Sequence, residues 1–162
     1  MHQFKRKKGF TLIEVLVVIS IFLILAGFGI NSLLNVRGSS SSTSTIYTLI
    51  NDIKNQQTKS MTGDTEGRGT PDTYSIYIES NKYTLFHGQT FSATDSSNFV
   101  VSIPQDSLLS TTFNSNKIIF ASGSGEIQNF TNGQDTITLK NTITNQQSIL
   151  QLNKYGVVVR TK

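Results

Sequence analysis

Glu14 is a carboxylate set in FTLIEVLVVISIFLILAGFGI (10–30), a run otherwise interrupted only by Thr11, Ser20 and two glycines. An ionisable group at bilayer depth costs about 2.5–3.5 kcal/mol even on lenient insertion scales, so it marks a functional position that needs a partner. Just before the run, Lys5, Arg6, Lys7 and Lys8 form a cationic cluster that ends at Gly9. Other chemistry-bearing residues are sparse. His2 and His87 have no ligand neighbour at metal spacing. Ser124, in SGSGE, lacks the strand–nucleophile–helix setting of a hydrolase serine, and no helix N-terminus follows to turn those glycines into a phosphate loop. The loop TGDTEGRGTPD (62–72) carries carboxylates at spacings that match no standard calcium loop and reads as a solvated turn. With no cysteine, thiolate metal sites and disulfides are excluded. No catalytic constellation, metal site or cofactor is expected.

The elements around Glu14 set its surroundings. The 21-residue run would span about 31 Å as a helix, close to the ~30 Å of a hydrocarbon core. Of the 14 lysines and arginines, four lie at 5–8, which leaves ten against ten acidic residues beyond them. The net charge of +4 therefore belongs to the leader and not to the rest of the chain. By the positive-inside rule the N-terminus stays cytoplasmic and everything after the run is exported. A secretory signal peptide shares these features, but INSLLNVRG follows without a small-x-small cleavage site. An ordinary single-pass anchor has the same hydropathy, and only the boundary residues distinguish it.

Those residues, KGFTLIEVLVVISI from Lys8 to Ile21, resemble the N-terminal signal of type IV prepilins and type II secretion pseudopilins. The resemblance implies cleavage of Gly9–Phe10 by a prepilin peptidase, which also acts as N-methyltransferase on Phe10. Glycine suits such a site because no Cβ hinders an extended backbone entering a protease. It further implies a cytoplasmic leader over 1–9, a transmembrane and filament-core helix over 10–30, and retention of that helix in the mature subunit. Partners implied are the peptidase, other pilins or pseudopilins, an inner-membrane assembly platform and membrane lipid. Glu14 then has a partner in the α-amine of Phe10, its own or a neighbour's, and acts as a register pin in subunit assembly. A negative charge in a first helical turn is also favoured by the helix dipole, typically by about 0.3–1 kcal/mol.

Beyond the run, Ser39–Thr45 is either a linker or a polar helical turn, since serine and threonine are poor helix interiors. Ile46, Leu49, Ile50 and Ile53 recur at i, i+3, i+4 and i+7, the stripe of an amphipathic helix to about Ser60. An exposed helical part over 31–61 and a head over 62–162 are expected, with Gly27 and Gly29 as weak points where the helix bends or melts during assembly. The head changes to period two. Tyr74, Ile76 and Ile78 alternate, Ser80-Asn81 turns, and Tyr83, Leu85 and His87 return as a hairpin. Strands are further expected at FVVSI (99–103), KIIFA (117–121), EIQNF (126–130), TITLK (136–140), SILQL (148–152) and VVVR (157–160). The fold class is α+β: a long N-terminal helix packed on an antiparallel β-sheet or β-sandwich head of seven or eight strands. The order from Lys117 to Arg160 resembles the C-terminal half of H-type minor pseudopilins and related minor pilins.

The function implied is that of a structural subunit, a minor component of a type IV pilus or type II secretion pseudopilus, in the cytoplasmic membrane and then in the filament. Two alternatives stay open: a single-pass membrane protein that is never processed, and a minor pilin that captures DNA. The latter rests on Lys154, Arg160 and Lys162 near the C-terminus. Three phosphate contacts would give a log–log salt slope of about −2.7 at most, which is weak binding.

Overall fold

A computed structural model describes residues 11–128 and 130–161; over 27–41 it covers the backbone alone. Gly9, Phe10 and Lys162 lie outside the described residues. Helix α1 runs Leu12–Thr62. Ser39–Thr45 is therefore helical and not a linker, and the backbone stays helical through Gly27 and Gly29. The chain divides into two compact units, Met1–Arg37 and Gly38–Lys162. In the first, the described apolar side chains of the helix are exposed, Leu12 and Phe22 among them. Among the described residues no helix is long and apolar enough to cross a membrane.

In the second unit, the alternating segments form eight strands: β1 Tyr74–Ile78, β2 Lys82–His87, β3 Phe99–Ser102, β4 Ser107–Thr111, β5 Lys117–Phe120, β6 Thr136–Asn141, β7 Gln147–Leu152 and β8 Val158–Thr161. They make two four-stranded antiparallel sheets, ordered β3-β2-β1-β5 and β4-β6-β7-β8. Two expectations are corrected. The segment expected as a strand at 126–130 contributes only an isolated bridge, Phe120 to Ile127, because Glu126 and Ile127 leave a glycine turn that packs on α1. SLLST, unmarked in sequence because its small polar residues and preceding Pro104 read as loop, is β4.

One apolar core joins α1 to both sheets. Ile46, Leu49, Ile50 and Ile53 from the helix meet Ile76, Ile78, Tyr83 and Phe120 of the first sheet and Ile137, Leu139, Leu150 and Leu152 of the second. This is the helix stripe read from period 3.6 covering sheet faces read from period two. The last turns of the helix are also fastened by polar bonds. Gln57 Nε2 donates to the carbonyls of Gly125 (3.0 Å) and Tyr155 (2.5 Å), one on each of two glycine turns. Ser60 is wholly buried: its hydroxyl donates to the Phe120 carbonyl (2.9 Å) and accepts from Tyr74 N–H (2.8 Å), and its carbonyl accepts from Gly123 N–H (2.8 Å).

Candidate functional site

The start of α1 is built by four residues, Thr11-Leu12-Ile13-Glu14. Thr11 is the N-cap: its Oγ1 accepts from Glu14 N–H (3.3 Å) and its carbonyl accepts from Glu14 and Val15 N–H (3.1 and 3.2 Å). Glu14 reaches back, its Oε2 accepting from Thr11 N–H (3.4 Å) and the Thr11 hydroxyl (3.5 Å). This is a reciprocal capping box, which satisfies donors that the first helical turn otherwise leaves orphaned. The T-x-x-E signature stands in the sequence and was the legible signal for the helix start. Both residues are exposed. The box holds the carboxylate beside the residue that follows Phe10, with contacts at the long end of the hydrogen-bond range, open to exchange for a stronger partner.

The remaining sequence candidates lie in the head and are not brought together into a site. His87, on β2, is half-buried between two carboxylates, Asp72 Oδ2 at 3.1 Å from Nδ1 and Asp95 Oδ2 at 3.4 Å from Nε2. Sequence reading missed both, because they approach from loops before β1 and after β2. Serine hydrogen bonds from Ser97, chiefly its hydroxyl, hold the Asp95 carboxyl below its usual range. Among the described residues no group of three or more histidines, cysteines or acids is arranged to hold a metal. In the 62–72 loop, Glu66 is paired with Lys59 and with Arg68, and the Lys59 ammonium is the main cause of its lowered pKa. Ser124 closes a turn, accepting from Glu126 N–H.

Lys154, on the β7–β8 turn, pairs with Glu126 at 3.0 Å, and that carboxylate raises its pKa. Arg160 stands exposed in β8 opposite Gln151. Within the described part of the C-terminal cluster, Lys154 is thus a neutralised cation.

Residues 4–30 match the sequence profile of the prokaryotic N-terminal methylation motif. The matched stretch contains Gly9, Phe10, Thr11 and Glu14. No curated protein and no solved structure matches the chain.

Proposed function

We propose that this chain, whose N-terminus is prepilin-like, is a structural subunit cleaved between Gly9 and Phe10 and incorporated through its N-terminal helix as a minor component of a type IV pilus or type II secretion pseudopilus. The observation that carries the proposal is the match over 4–30, the stretch that contains Gly9, Phe10 and Glu14. The chain is then a substrate of a processing enzyme and not itself an enzyme. It is held in the cytoplasmic membrane by the apolar run, with its head outside, until assembly.

The capping box supports a role for Glu14 in this sequence of events. Before cleavage the carboxylate closes its own helix. Cleavage creates an α-ammonium at Phe10, adjacent to the N-cap, and a charge-assisted bond at about 2.7–2.9 Å is stronger than the contacts of 3.4 and 3.5 Å the box provides. The carboxylate therefore exchanges a local cap for an ammonium, on its own chain or on a neighbouring subunit.

Intact-mass measurement tests the reading. In cells carrying the cognate peptidase, the mature chain should begin at Phe10 with one added methyl group, and Gly9→Val should stay at full length. A wild-type chain that retains residues 1–9 in such cells overturns the proposal.

A further inference from the structure

Sheet edges expose unpaired backbone groups, and proteins ordinarily protect them. Three of the four edges here are occupied or guarded. The β5 edge is covered by the Phe120–Ile127 bridge and a bond from Gln128 N–H to the Ile119 carbonyl. On β4, Leu109 N–H donates to the Ser80 carbonyl. Strand β8 carries Arg160, and its ladder with β7 is irregular at Gln151/Leu152. Strand β3, FVVS, has no charge, no proline and no bulge, and both Phe99 (66% exposed) and Val100 (51%) face solvent. Because Ile103 N–H bonds inward to the Asn81 carbonyl, the alternation along the strand turns the backbone groups of Val100 and Ser102 outward.

Beside this edge lies a cleft of about 540 Å³, within the range that admits small ligands or a side chain. One wall is a helical stripe of α1, Asp52, Asn55, Gln56 and Lys59, at i, i+3, i+4 and i+7. The other wall includes Leu85, Ser97 and Phe99, together with His87, which already stands between Asp72 and Asp95. Its lining is short of cations. Lys59 is already paired with Glu66, whereas half-buried Asp52 makes no ion pair among the described residues and accepts a single hydrogen bond through Oδ2, from Tyr83 at 2.6 Å. Gln56 is 4% exposed, and its Oε1 has no hydrogen-bond partner. The Asp52 carboxylate, which has no ion partner among the described residues, and the exposed Phe99 ring together suit a basic side chain.

We propose that β3 and this cleft form one peptide-binding groove, in which an extended segment of a partner protein adds as a fifth strand to the first sheet and places a lysine or arginine between α1 and Phe99. Main-chain bonds to Val100 and Ser102 supply affinity, and the cleft supplies the choice of side chain, as in other strand-addition sites. The inference rests on the head alone and does not depend on the cleavage at Gly9.

The test uses the full chain in detergent micelles and a fluorescein-labelled peptide, Gly-Thr-Val-Thr-Lys-Thr-Val-Thr-Gly, followed by fluorescence anisotropy. Binding is expected to weaken about tenfold or more when norleucine replaces the lysine, or in Asp52→Asn, which keeps an acceptor for Tyr83 but removes the charge. Methylation of alternate peptide amides should abolish binding without touching the protein, and Val100→Pro, which deletes an outward N–H, should do the same. Equal binding of the lysine and norleucine peptides, or no binding of the lysine peptide, overturns the proposal. So does self-association of the chain that Val100→Pro removes while the peptide stays unbound.

Discussion

At the scale of the residue, Glu14 caps its helix and, on the reading proposed above, also pairs with an α-ammonium, and substitutions can divide the two. Glutamine closes a capping box as glutamate does but carries no charge. Glu14→Gln should therefore leave the helix start intact, and the chain should be cleaved normally, yet enter filaments poorly. An α-ammonium left unpaired in an apolar bundle is penalised by about 3–5 kcal/mol, enough to exclude most copies. Glu14→Ala should lose both the cap and the charge. The fraction of each variant in sheared, purified filaments is the measurement, and wild-type incorporation of Glu14→Gln would remove the charge from the account. The carboxylate was conspicuous in sequence because it stands alone in an apolar run. The cap was equally legible in T-x-x-E but is easily overlooked when attention falls on the charge. His87 is the opposite case: its partners Asp72 and Asp95 lie 15 and 8 residues away in the chain, and only the fold brings them to opposite nitrogens of one ring.

At the scale of the element, the hairpins declared themselves through alternation. The period-two pattern of Tyr74–Ile78 and Tyr83–His87 became a ladder pairing Tyr74 with His87 and Ile78 with Tyr83. SLLST did not, since its two leucines are adjacent and one of them, Leu108, is exposed. Nor could local pattern assign strands to two separate sheets, because β1 pairs with β5 and β4 with β6 across intervening chain. The contact between α1 and the glycine turns gives a sharp prediction. Gly125 and Gly156 have φ of +67° and +69°, and a Cβ at either would come within 3 Å of Met61 or Gln57. Gly125→Ala and Gly156→Ala should each destabilise the head by roughly 1–3 kcal/mol from left-handed backbone strain, with the cost of the close contact added. Gly133→Ala shares the strain but meets nothing within 4 Å and should cost less. Urea midpoints with unchanged m-values would check the order.

At the scale of the whole molecule, every buried core residue among the described residues lies within Gly38–Lys162. A fragment beginning at Gly38 should fold and melt in one cooperative transition, seen by near-UV and far-UV circular dichroism together. A fragment beginning at Gly63 should not, because it lacks Leu49 and Ile53, each almost wholly buried, and losing such side chains costs about 2–5 kcal/mol apiece. A fragment lacking α1 that melts cooperatively would show that the sheets form a core without the helix. The fastening of α1 has a mechanical meaning as well. Tension entering at Gly38 reaches an apolar stripe from Ile46 to Ile53 first, and the bonded residues Gln57 and Ser60 only afterwards. A pull on α1 should therefore strip the apolar stripe before the anchored turns bear load and lengthen the head before it ruptures, with Ser60 as the last rivet between helix and sheet.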